Sequence, residues 1–176
     1  TTCHFDSRTW ALLNLPKIAP ICWWAGPMTE IYVDADACPV KDEVIRVAER
    51  HGLVTHMVSD GGIRPYPSPL VHLVFVAPGA DAADDWIAEH ISPGDIAITN
   101  DIPLADRCLK QGAGAIRADG KTFTENSIGM AMATREIMAA LRDRGEMTGG
   151  PPPFSKQDRS RFLQALETAV QARRNV

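Results

Sequence analysis

From Glu30 onward, short apolar runs alternate with stretches of helical spacing, and this alternation limits the fold more than any other feature of the chain. Strands separated by helices return to a sheet side by side rather than as hairpins. The expected architecture is therefore α/β, with three α/β/α layers around a mostly parallel central sheet. Strands are predicted at 31–33, 54–58, 71–76, 96–99 and 115–117. Helices are predicted over 40–51, 81–90, 103–111 and about 125–144, with a last one opening at Ser155. Pro39 stands near the first helix start, where its missing N–H costs little, and Gly52 and Gly112 stop two of the helices.

Val71 to Val76 is almost wholly apolar, which predicts a strand covered on both faces. Met130, Ala133, Ile137 and Leu141 recur at three- and four-residue steps and predict one core-facing stripe. Gly149-Gly-Pro-Pro-Pro153 reads as a linker. Beyond it Ser155 is placed to cap a helix, with Asp158 favourable in its first turn. Phe162, Leu166 and Val170 give that helix an apolar stripe that needs a partner.

Residues 1–27 read differently. They hold Trp10, Trp23 and Trp24, three of the four tryptophans, with neither helical nor strand periodicity. No basic segment leads an apolar one, as a secretory leader requires. Met28 stands directly before the first strand. The expectation is a domain from 28 to 176 preceded by an extension outside the fold. The alternative is an arm that packs its tryptophans on the domain.

A chain of 176 residues suits one domain with a real core. The net charge of −4 and pI near 5.7 leave no overall basic footprint for nucleic acid, although basic groups can be local. No apolar run is long enough to span a membrane. Cys3, Cys22, Cys38 and Cys108 show no paired spacing, which predicts a reduced, cytoplasmic setting. Free thiols packed as small apolar groups are commoner than a zinc site built from Cys38, Cys108 and a histidine.

The chemistry lies in the acids. Aspartates close four stretches: Ile31-Tyr-Val-Asp-Ala-Asp36, Asp81-Ala-Ala-Asp-Asp85, Ile96-Ala-Ile-Thr-Asn-Asp101 and Ala115-Ile-Arg-Ala-Asp119. The carboxyl ends of strands form the rim where α/β proteins bind ligands. Carboxylates gathered there repel one another unless a cation sits between them, and Mg²⁺ or Mn²⁺ prefers such oxygen ligands. Asp34 and Asp36 end the first strand, where either can turn into the cleft. Asp84 and Asp85 are adjacent on a helix and cannot both face it. Asp101 is the strongest single candidate, and Asp119 is more ambiguous because Asp-Gly is also a turn. Asp95 and Asp106 read as surface residues. Lys41, Arg64, Arg107, Lys121 and Arg135 are candidates to position phosphates, and Thr99 and Asn100 to tune the acids by hydrogen bonds.

Three of these segments carry a resemblance. Ile31-Tyr-Val-Asp-Ala-Asp-Ala-Cys-Pro39, Thr99-Asn-Asp-Ile-Pro-Leu-Ala105 and Gly149-Gly-Pro-Pro-Pro-Phe-Ser-Lys-Gln-Asp-Arg159 resemble the YaiI/YqxD family of bacterial proteins. The resemblance runs from about Met28 to the last helix. It implies a PIN-like fold of nuclease type. Asp34 then takes the place of the first PIN acid, Asp84 or Asp85 that of the mid-chain acid, Asp101 that of the acid after the fourth strand, and Asp119 that of the last. Ala83-Asp-Asp85 also looks like the Ala-Asp-Asp of flap endonucleases. The implied activity is Mg²⁺- or Mn²⁺-dependent cleavage of phosphodiesters, with RNA ahead of DNA as partner. Asp34, Asp84, Asp85 and Asp101 would be catalytic, and Asp36 and Asp119 further metal ligands. Two other readings stand beside it: a non-catalytic binding or regulatory protein on the same scaffold, and a phosphatase for a small phosphorylated metabolite.

Overall fold

A four-residue strand, Ile31–Asp34 (β1), lies near the centre of a six-stranded sheet in the computed structural model of the chain. The structure describes residues 29–36, 38–79, 81–145 and 153–174. The N-terminal segment with its tryptophans and most of the Gly-Pro linker fall outside these. After β1 come α1 (Lys41–His51), β2 (Thr55–Ser59), β3 (Val71–Phe75) and α2 (Ala82–His90). Then follow β4 (Ile96–Ile98), α3 (Ile102–Lys110), β5 (Gly114–Ile116), β6 (Thr122–Phe123), α4 (Glu125–Asp143) and α5 (Lys156–Arg174). The sheet order is β3-β2-β1-β4-β5-β6, parallel except for β6.

The strand alternation sorts side chains into two cores. Ile31, Val33, Ile96, Ile98 and Ile116 face α1 and α5. Tyr32, Ala97 and Ala115 face the other layer, with Leu104, Ala105 and Cys108 of α3. Alanines on that face let α3 approach the sheet closely. Both faces are covered, so the chain forms a three-layer α/β/α domain. α5 completes the α1 layer through Phe162, Leu166 and Val170, all buried. Its first turn closes with Ser155 N–H donating to Asp158 Oδ2 at 2.9 Å and Asp158 N–H to Ser155 Oγ at 3.1 Å.

Three expectations need correction. β3 is not buried on both faces: it is the sheet edge, and Phe75 is 60% exposed. Its apolar run is indistinguishable from that of a central strand until the strand order is known. The stripe on α4 does not face the core either. Only Ile128 is buried, while Met130 is 74% and Ile137 60% exposed. Helical spacing shows that a helix has an apolar side, not what that side meets. Asp95 is buried, where its carboxylate accepts the Glu30 and Ser92 N–H groups at 2.9 and 2.8 Å.

Candidate functional site

The connections from β1 and β4 leave on opposite faces: α1 covers one side of the sheet, α3 the other. Side by side, β1 and β4 therefore form a topological switch point, and a crevice opens beyond their carboxyl ends. Asp34 is the last residue of β1, and Thr99, Asn100 and Asp101 follow β4. Local folding fixes each of them. Thr99 is buried; its hydroxyl donates to Asp34 Oδ2 at 3.1 Å and accepts the Asp101 N–H at 3.0 Å. Asp101 caps α3, Oδ2 accepting the Leu104 N–H at 3.0 Å, with Pro103 in the first turn. Asn100 Oδ1 accepts the Ala118 N–H at 3.2 Å and ties the loop to the end of β5. Asp34, Cys38, Thr99, Asn100 and Ala118 line a narrow crevice there.

Electrostatics show which acids share this space. The Asp84 carboxyl, brought in by α2, is pushed up to about 6, first by burial and then by the charges of Asp101, Asp34 and Asp81, against the pull of Arg107. Asp34 is also raised, first by burial and then by Asp36 and Asp101, while the Thr99 hydroxyl and the Asp36 N–H oppose the shift. Asp34, Asp84 and Asp101 thus lie within reach of one another's charge, with Asp36 beside Asp34. Asp36 is exposed; Ser59 bonds to its Oδ1, and the Asp60 N–H donates to its Oδ2 at 3.1 Å.

Asp85 and Asp119 stand apart from this group. Adjacent helical residues point about 100° apart, so Asp85 turns outward and pairs with Arg107 at 2.7 Å. Asp119 closes its own turn on the Lys121 N–H at 3.1 Å, with Arg117 and Lys121 each 3.9 Å away. Arg135 lies 3.9 Å from Asp101, and Lys41 donates to Ala35 O at 2.7 Å.

Among the described residues, no three carboxylates, imidazoles or thiols are close enough to grip one ion. This spacing does not suit a closed cage. An ion such as Mg²⁺, which keeps several waters and uses one or two carboxylates together with substrate phosphates, needs no such cage. The donors are hard oxygens, and the mutual repulsion felt by Asp84 is the kind a divalent cation relieves.

Cys38 and Cys108 are free and buried, with thiols pushed up to about 11 and about 12 by burial. They belong to cores on opposite sides of the sheet, so they cannot share a zinc ion. No described helix is long and apolar enough to cross a membrane. Sequence reasoning missed the role of Ser59, whose only signal was its place in the Ser59-Asp-Gly-Gly62 turn.

The topology and rim define a doubly wound α/β domain with an acidic cleft at its switch point. The chain belongs to the YaiI/YqxD family: the family model described as "Uncharacterized BCR, YaiI/YqxD family" matches residues 32–172. A UPF0178 protein of Parvibaculum lavamentivorans is 62% identical over 145 residues, covering 82% of this chain and 95% of that protein. Another, from Rhodopseudomonas palustris, is 61% identical over 143 residues, covering 81% and 90%. A third, from Paramagnetospirillum magneticum, is 59% identical over 150 residues, covering 85% and 99%. None of these names carries an activity. No solved structure matches the chain.

Proposed function

We propose that this protein is a metal-dependent nuclease that cleaves phosphodiesters of RNA or DNA. One observation carries the reading: Asp84 is pushed up to about 6, with Asp101 and Asp34 adding to the effect of burial, at the switch point of a parallel sheet. Such crowding has a structural cost, and a site for a divalent cation gives it a reason. One or two of Asp34, Asp84 and Asp101 would hold Mg²⁺ or Mn²⁺ directly and the rest through its waters, with Asp36 at the margin. The ion, when bound, supplies charge stabilisation to the transferring phosphoryl group and activation of water.

The chain's own groups do the rest. Thr99 keeps Asp34 and the start of α3 in register through its two hydrogen bonds. Arg135, half-exposed beside Asp101, is placed to meet a substrate phosphate once the carboxylates are neutralised. Two buried free thiols fit a reducing, cytoplasmic setting.

That no three acids among the described residues come close enough to grip one ion favours, as a second reading, a non-catalytic protein that binds nucleic acid on the same scaffold. One assay separates these readings: radiolabelled single-stranded RNA or DNA and a generic phosphomonoester, each with Mn²⁺ and with chelator. Chelator-sensitive cleavage of the nucleic acid alone is expected. Turnover of the phosphomonoester alone would indicate a phosphatase, and turnover of neither the binding protein.

A further inference from the structure

The crossover from β2 to β3 runs through residues 60–70 without a helix. Parallel crossovers usually carry one. Here Pro65, Pro67 and Pro69 remove backbone donors and hold the preceding residues extended. The sheet beneath is left under a cavity of about 300 Å³ between this loop and α1. That is large enough for a small organic group. Met57, Val71 and Leu73 supply an apolar floor, and Lys41, Arg64 and Tyr66 lie nearer solvent. Tyr66 is 40% exposed.

The cavity adjoins the acidic cleft. Lys41 at its edge donates to the carbonyl of Ala35, the residue between Asp34 and Asp36. The crossover itself begins at Asp60, whose N–H is held by Asp36. Two basic groups at this cavity, like several elsewhere among the described residues, have no carboxylate partner and are open to a ligand. Arg46, Arg50, Arg107, Arg135 and Arg159 each face a carboxylate. Arg64 forms no ion pair among the described residues and is exposed. Lys41 likewise has no carboxylate partner among them.

We propose that this cavity receives an unpaired base of a single-stranded nucleic acid whose phosphates pass Arg64 and Lys41 into the acidic cleft. This rests on the nuclease reading above and adds to it a preference for single strands. An aromatic ring over an apolar floor suits the face of any base, so the contact is tolerant of sequence. A base within a duplex reaches such a pocket only by leaving its stack. Asp42, also in the lining, repels phosphate but can accept the exocyclic amine of adenine, cytosine or guanine. The phosphates are therefore placed on the Arg64 side.

The test is fluorescence anisotropy of a short fluorescein-labelled single-stranded RNA with the full chain at low salt in EDTA, where no cleavage occurs. Tyr66→Ala should weaken binding about tenfold and Tyr66→Phe less than about twofold. Arg64→Ala should weaken it too and flatten the dependence of log K on log salt by about 0.7. The same strand annealed to its complement should bind at least about tenfold more weakly. Both side chains are exposed, so circular dichroism should show both variants folded. Three results would each overturn the proposal: no binding by the wild type, duplex binding equal to single-strand binding, or binding that depends on Arg64 but not Tyr66. No metal takes part, so failure here leaves Mn²⁺ binding at Asp101 to be judged separately by calorimetry. Loss of that metal site would equally leave a Tyr66-dependent RNA contact standing.

Discussion

Arg159, in α5, donates to Glu43 Oε1 in α1 at 2.7 Å, and Glu43 is 1% exposed. Arg46 shares that oxygen at 3.2 Å, and Oε2 has no partner among the described residues. A buried carboxylate of this kind contributes little net stability when paired, but removing the nearer of its two cations leaves its charge only partly compensated. Arg159→Met should cost about 1 kcal/mol in urea unfolding, less than full loss of a buried partner, because Arg46 still meets the same oxygen and Arg159 is half-exposed. Adding Glu43→Gln should recover part of the loss. Unchanged stability in Arg159→Met would mean that Phe162, Leu166 and Val170 alone hold the last helix.

Asp84 makes stability depend on pH. Its carboxyl, raised from 3.8 to about 6, binds a proton more tightly folded than unfolded. The contribution of Asp84 should be full below about pH 4 and be lost as pH rises through about 6. Asp84→Asn should abolish that decline and add about 1 kcal/mol at neutral pH, a value reduced for the screening of a half-exposed group. Thermal unfolding of both proteins across this range is the check. A flat profile in the wild type would show that the acids do not crowd one another.

Asp101→Asn separates charge from shape. Asparagine caps a helix as well as aspartate does, so the bond to the Leu104 N–H survives. Titration calorimetry with Mn²⁺ should show weaker binding in the variant. In chelator its stability should equal or exceed that of the wild type, because repulsion with Asp84 and Asp34 is relieved. Equal Mn²⁺ affinity in the two proteins would remove Asp101 from the site and leave the non-catalytic reading ahead.

Gly120 is the point where the β5–β6 turn meets α5. Its φ is +85°, and an added Cβ would lie 2.6 Å from the Arg161 carbonyl carbon and 2.7 Å from the Phe162 nitrogen. Both are backbone atoms, which cannot move aside as a flexible side chain can. Gly120→Ala should cost about 3 kcal/mol, from left-handed strain and overpacking together. Protease cleavage should then reach α5 sooner than in the wild type.

Residues 1–27 are expected to be dispensable for folding. Thr29 Oγ1 donates to Gly94 O at 3.2 Å and the Glu30 N–H to Asp95 at 2.9 Å, so the anchors of the first strand lie inside a chain begun at Met28. That shorter chain should keep its melting temperature. A drop of several degrees would show the tryptophan-rich segment packing on the domain.

Local pattern alone determined the strands from Ile31 to Ile116, the five helices and the docking stripe of Phe162, Leu166 and Val170. Period two and period 3.6 are properties of neighbouring residues, and they place Asp34 and Asp101 at strand ends without reference to the rest of the chain. Order and company were decided only in three dimensions. Nothing local marks β3 as an edge, sends the Met130–Ile137 side of α4 to solvent, or pairs the two residues of β6 antiparallel with β5. The same holds for Asp84 facing Asp101 while Asp85 meets Arg107, and for the helix-less crossover that opens a cavity over Met57. Each depends on which segments, far apart in sequence, pack side by side, and that is settled by the burial of whole faces rather than by the preferences of single residues.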